Sequence, residues 1–223
     1  KPTILAFSMV QYISGFRMDE DFIRKLKTNY PKLLLVGDGT QFLGTTVFNF
    51  EKSGLDALIG SGYKWLLAGY GNGYAFLSDH MKDAIYVKNK LANLPTAPFL
   101  KGKDHLSMCF EPGHLDTLNF GTLNESLNDL ALLGFDYIEK TTQTLSNQAR
   151  LALNARGLVA DWMLDRQYQS TIMSMLLDQK TVDKLVAAKI LCSPRGAGTR
   201  ISFHFYNTEE DLNQLIEILD GKN

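Results

Sequence analysis

Three short stretches carry residues able to do chemistry. "VGDGTQ" sets Asp38 at the end of an apolar run, with Gln41 shortly after it. "SGYKW" sets Lys64 among glycines and aromatics, behind Ser61 and Tyr63. "GTRISFHF" carries Arg200 near the C-terminus. Each residue has two readings. Asp38 is a turn residue making an Asx turn, or an anion held for a cationic ligand group. Lys64 is a lysine whose head escapes to solvent along an apolar stem, or an amine desolvated enough to attack a carbonyl. The hydroxyls of Ser61 and Tyr63 satisfy local backbone, or join main-chain N–H groups in cradling a phosphate. Arg200 is a surface arginine on a strand edge, or a planar fork for a carboxylate.

The elements that must position these groups follow from hydrophobic patterning. "TILAFSMV" predicts a strand. A helix follows with Phe22, Ile23 and Leu26 on one face and acidic residues in its first turn. "KLLLVGDGTQ" reads as a strand buried on both sides, and "ALIGSGYKWL" and "GYAFLS" as two more. Ligands of such α/β layers sit at the carboxyl ends of the strands, where Asp38 and Lys64 fall. From Leu118 the pattern is helical, through Leu123, Leu127, Leu130 and Leu133 to a break at Gly134, then through Ile138, Leu145 and Leu151. The last third predicts strand "STIMSMLLD", helix "QKTVDKLVAA", packed strand "KILCS", a turn through Pro194, Gly196 and Gly198, strand "TRISFHF" and a final helix. That helix opens on a Thr208–Asp211 capping box and carries a stripe of Leu212, Leu215, Ile216 and Leu219. The whole is an α/β layer of residues 1–135 followed by a small α+β domain of residues 136–223.

Bulk properties narrow the partners. A chain of 223 residues with 45% hydrophobic and 21% charged residues holds a real core. A net charge of −1 gives no footprint for nucleic acid or anionic membrane. No apolar run approaches the roughly 20 residues of a membrane span. Cys109 and Cys192 form no CxxC and no Cys/His cluster, so no metal site is expected and a reducing cytoplasmic setting fits. Two rival motifs fail. "GSGYKW" lacks the spacing and the Ser/Thr of a P-loop, and "GYGNG" resembles a dinucleotide loop but leads into a strand.

Together, an acid for a pyridinium nitrogen, an amine for a Schiff base and hydroxyls for a phosphate are the protein's share of pyridoxal phosphate chemistry. "VGDGTQ", "SGYKW" and "GTRISFHFYNTEED", in that order, resemble the class V aminotransferase group of fold-type I pyridoxal phosphate enzymes, which includes cysteine desulfurases, selenocysteine lyases and kynureninases. The resemblance implies the C-terminal part of a large, mostly parallel cofactor domain, then a small α+β domain, in a homodimer that acts on an amino acid. It implies Asp38 at the pyridine nitrogen, Gln41 at the ring hydroxyl, Ser61 and Tyr63 at the phosphate, Lys64 as the Schiff-base lysine and Arg200 at the substrate α-carboxylate. Tyr63 stands where many members carry histidine, and the kynureninase branch also shows tyrosine there. "FEPGHLDTLNF" matches a segment that reaches the partner subunit's phosphate, with His114 where threonine is common; His114 is otherwise a loop residue. Tyr12 matches a pocket-lining position and is otherwise a core tyrosine. His204 and Asn207 match structural positions. The upstream part that would stack on the ring and complete the phosphate site has no counterpart here, so a longer protein is expected.

The expected reaction is transamination. Desulfurases and selenocysteine lyases need a mobile cysteine, and Cys192 falls in a segment read as a packed strand, where thiols are inert. A kynureninase-type lyase needs no such cysteine. A non-catalytic binding module of the same fold is the alternative of another class, which pyridoxal phosphate titration would separate. A nicotinamide oxidoreductase rests on "GYGNG" alone.

Overall fold

A computed structural model of the chain describes residues 2–89, 105–111 and 113–221. The chain divides into two compact units. One comprises Lys1–Phe7, Asp21–Thr40 and Asn49–Asp129, the other Ser8–Glu20, Gln41–Phe48 and Leu130–Asn223.

The first unit holds a four-stranded sheet in sequence order, β1 (Ile4–Ser8), β2 (Leu34–Asp38), β3 (Ala57–Ser61) and β4 (Gly73–Leu77). β2 and β3 run parallel with Asp38 beside Ile59, and β4 returns antiparallel with Gly73 beside Ser61. Helix α1 (Glu20–Asn29) buries Ile23 and leaves Phe22 exposed, so the apolar face is narrower than expected. Helices α2 (Asp79–Asn89), α3 (His105–Phe110) and α4 (Thr117–Leu133) follow. The strand read as buried on both sides is fully buried only at Leu35 and Gly37; Leu34 and Val36, which point to the other face, are half-buried.

A buried carboxylate ties this layer together. Asp56, 1% exposed just ahead of β3, accepts from Lys27 Nζ at 2.9 and 2.7 Å and from the Leu35 N–H at 2.8 Å, and lies 3.0 Å from His80 Nδ1. One side chain thereby joins α1, β2 and α2. Burial alone would raise its pKa, but the hydrogen bonds from Lys27, Leu35 and His80 outweigh it and hold the carboxyl below its usual value.

In the second unit, α5 (Phe135–Asn154), β5 (Ile172–Met175), α6 (Gln179–Ala187), β6 (Ser193–Arg195), β7 (Gly198–Ser202) and α7 (Glu209–Leu219) surround one core. Its members include Leu145, Ala149, Leu153, Met173, Met175, Leu185, Ile201, Leu212 and Leu215. The antiparallel sheet has the order β5-β7-β6. Gly134, at φ 93°, separates α4 from α5 as its break in the pattern requires. The capping box of α7 is present in both directions.

Three expectations are corrected here. The buried stripe of α5 runs through Ile138, Thr142, Leu145, Ala149 and Leu153, whereas Leu151 is 61% exposed. Leu151 sits two residues from both Ala149 and Leu153, and at 100° per residue that is the far side of the helix. "KILCS" is not a packed strand. Lys189 adopts φ 61° as α6 ends, Leu191 is exposed, and pairing starts only at Ser193. Pro194 lies within β6 rather than in the turn, which is tolerated because β6 is an edge.

Asp56→Asn leaves Lys27 with a weakened partner and is expected to cost about 3 kcal/mol at neutral pH in urea unfolding. Because the carboxyl is depressed in the folded state, the parent's advantage is complete above the ordinary aspartate range and is lost as pH falls through the depressed value. An unchanged midpoint at pH 7 would show the cluster contributes nothing.

Candidate functional site

The parallel pairing of β2 and β3 brings their carboxyl ends side by side. The Gly39 N–H donates to the Ile59 carbonyl at 2.7 Å, one residue beyond Asp38, and the Ser61 N–H reaches Thr40 Oγ1 at 3.4 Å. A cleft of about 910 Å³ opens here, lined by Asp38, Thr40, Ser61 and Tyr74 and walled by Leu106 and Phe110. Asp38 does make the Asx turn, its Oδ1 accepting the Thr40 N–H at 2.9 Å, yet the residue stays exposed at the cleft. The Asx-turn reading of Asp38 is borne out, and the same carboxylate lines the cleft.

Tyr74 is a lining residue that sequence reading passed over. It stands opposite Gly60 on β4, and its ring lies across that glycine. A Cβ on Gly60 would meet the Tyr74 hydroxyl at 2.3 Å, and one on Gly39 would meet it at 3.1 Å. The hydroxyl oxygen is buried with no hydrogen-bond partner among the described residues. Burial, then the Asp38 charge, raises its pKa far above the usual phenol range. The only sequence signal for this packing is the pair of glycines opposite an aromatic.

Lys64 lies on the turn that leaves β3. The Ala68 N–H donates to the Gly62 carbonyl at 3.0 Å and closes the turn; inside it, the Leu67 N–H donates to the Lys64 carbonyl at 2.9 Å. Trp65, Leu66 and Ala68 point inward and are buried, while Tyr63 and Leu67 face out. Leu67 takes φ 55°, a left-handed conformation that costs a non-glycine residue on the order of 1 kcal/mol. Lys64 is half-buried, with Nζ 5.4 Å from the Tyr63 ring centroid and no ion-pair partner among the described residues. Tyr63 in turn stacks on Tyr70 at 5.1 Å. Asp38 and Ser61 thus share the cleft, while Tyr63 and Lys64 sit on the turn just beyond Ser61 and are not among its lining residues.

The remaining expected residues divide between the units. His114 is exposed, ahead of α4, in the first unit; Pro112, in the same segment, lies outside the described residues. Gln41, Tyr12 and Arg200 belong to the second. Gln41 is buried; Tyr12 is half exposed. Arg200 stands on the central strand β7 rather than an edge, and its Nη1 donates to the Tyr12 carbonyl at 2.8 Å. The Tyr12 turn is firm. Gln11 Oε1 accepts from the Ile13 and Ser14 N–H groups at 2.7 Å each, and a Cβ on Gly15 would collide with the Ile172 carbonyl. Cys192 is half-buried against the core, and burial pushes its thiol pKa up, which disfavours a reactive nucleophile. Among the described residues no metal-binding group of His, Cys, Asp or Glu occurs, and no helix is long and apolar enough to cross a membrane.

The donor set suits pyridoxal phosphate: a carboxylate and a hydroxyl at adjoining strand ends, then a phenol and an amine on the turn that follows, the amine with no ion pair among the described residues. The family model described as "Aminotransferase class-V" matches residues 1–215. The chain is 22% identical to "Uncharacterized aminotransferase YcbU" of Bacillus subtilis (strain 168), covering 96% of this chain and 58% of that protein. Its fold is similar to the apo cysteine desulfurase of Thermococcus onnurineus NA1, at TM-score 0.77 and 16% identity over 98% of this chain and 59% of that one. It is equally similar to a C-DES mutant with glycine covalently linked to its PLP cofactor, at TM-score 0.77 and 17% identity over 97% of this chain and 60% of that one. The chain therefore spans about three-fifths of the length of these relatives.

Tyr74→Phe removes a buried hydroxyl without a partner and is expected to raise stability by about 1 kcal/mol, read as a higher melting temperature. A lower one would show that the hydroxyl is satisfied.

Proposed function

Because the chain belongs to the class V aminotransferase family, we propose that this protein is a pyridoxal phosphate enzyme that transfers an amino group from an amino acid, with Lys64 as its catalytic lysine. The observation that carries the reading is the pairing of β2 with β3, which sets Asp38 and Ser61 at one cleft and starts the Lys64 turn beside it. Pyridoxal phosphate, when bound, supplies the aldehyde and the electron-accepting ring that chemistry at an amino-acid Cα requires.

In this reading Asp38 holds a proton on the ring nitrogen through its charge. Ser61 and Tyr63 donate to the phosphate, Gln41 offers its amide to the ring hydroxyl, and His114 reaches the phosphate held by the partner subunit. Tyr12 lines the pocket. Lys64 Nζ would hold the cofactor at its aldehyde carbon and would serve as the base and acid for the proton at the substrate Cα. Arg200, already fixed by the Tyr12 carbonyl, grips the substrate α-carboxylate. Residues 1–135 form the cofactor-binding part and 136–223 the smaller one, and the enzyme works as a cytoplasmic homodimer.

A lyase of the kynureninase kind is the second reading, favoured by Tyr63. The half-buried Cys192 speaks against a desulfurase.

Lys64→Ala is expected to abolish turnover and the visible absorption of the cofactor-loaded protein. Retained turnover would sink the mechanism. Arg200→Ala is expected to weaken amino-acid binding by about 2–5 kcal/mol with little effect on cofactor affinity. Unchanged substrate affinity would remove Arg200 from the site.

A further inference from the structure

The Lys64 turn is held from outside itself. Ser126 Oγ, on α4, donates a hydrogen bond to the Leu66 carbonyl, two residues beyond Lys64. Asn72 Nδ2 donates to the Ala68 carbonyl at 2.8 Å and to the Asn119 carbonyl of α4 at 3.0 Å, bridging turn and helix with its two protons. Thr122, one helical turn before Ser126 on the same face, reaches Ala68 at 3.0 Å but shares its single proton with Asn119 at 2.8 Å. Neither Asn72 nor Ser126 serves α4 alone. The Ser126 hydroxyl and the Asn72 amide each donate to a carbonyl of the segment that carries Lys64, and the amide also donates to α4.

That segment needs an external hold. Leu67 is in a left-handed conformation, which persists only where surrounding contacts over-determine it. The Ser126 and Asn72 bonds fall on the carbonyls immediately before and after Leu67, at residues 66 and 68. A turn free to relax at Leu67 would swing Lys64, because the Leu67 N–H is bonded to the Lys64 carbonyl. Among the described residues Nζ has no hydrogen-bond or ion-pair partner, so the backbone sets its place.

We propose that Ser126 and Asn72 are positioning residues for Lys64: by clamping the carbonyls of Leu66 and Ala68 to α4 they fix the strained turn and hold Nζ over the Tyr63 ring. The role in catalysis rests on the function proposed above; the positioning itself does not.

The test is competitive acylation of lysines across pH in the full protein without added cofactor, read by peptide mass spectrometry, with exposed Lys52 as the internal reference. Ser126→Ala is expected to raise the reactivity of Lys64 relative to Lys52 about fivefold, the population change that corresponds to one net hydrogen bond. Ser126→Thr, which keeps the hydroxyl, is expected to stay at the parent value. Asn72→Ala should act in the same direction as Ser126→Ala. Titration of the same proteins with pyridoxal phosphate should show affinity reduced in the alanine variants and retained in Ser126→Thr. A parent-like Lys64 profile in Ser126→Ala would overturn the proposal, and so would equal disturbance by alanine and threonine, which would mean packing alone. If the parent binds no pyridoxal phosphate, the proposed function fails, while the acylation profile still decides the positioning.

Discussion

The parallel pairing of β2 and β3 is the constraint on which the rest depends. A single hydrogen bond, from the Gly39 N–H to the Ile59 carbonyl, continues that pairing past the last residue of β2. It puts an acid and a hydroxyl at neighbouring strand ends and starts the Lys64 turn from the same edge. A slip of register would separate them, because side chains alternate faces along a strand. Asp56 guards the other end of the pairing. It sits ahead of β3 and accepts from the Leu35 backbone of β2, so the carboxylate joins the two strands where they enter the sheet.

The glycines around Lys64, which give the segment its unusual look, have separate physical causes. Gly60 leaves room for the Tyr74 ring, and Gly62 for the side chain of Asn72, which a Cβ would meet at 2.1 Å. Gly69 and Gly71 are needed for their positive φ. The lysine is tolerated because the turn buries Trp65, Leu66 and Ala68 in its place and leaves Nζ at the surface of Tyr63. Its setting is thus made by its neighbours' burial more than by its own.

Much of this was legible in the sequence, for local reasons. Asp38 between glycines after an apolar run announces a strand end, Gly134 a helix break and Thr208–Asp211 a cap, since each depends on residues within one turn. The three motifs that resemble the family supplied the candidate site residues in their order along the chain. The misreadings have equally physical causes. Leu151 was placed on the apolar stripe by residue type, although its angle on α5 points it to solvent. "KILCS" is apolar enough for a strand, but helix α6 ends in a left-handed Lys189 and uses up the residues that would have paired. Tyr74, Asn72 and Ser126 were invisible because their partners are distant carbonyls and glycines.

The most direct measurement is borohydride reduction of the protein incubated with pyridoxal phosphate, followed by peptide mass mapping. The account predicts one dominant pyridoxyl adduct, on Lys64. An adduct spread over surface lysines, or none at all, would contradict it and leave the strand-end constellation without its chemistry.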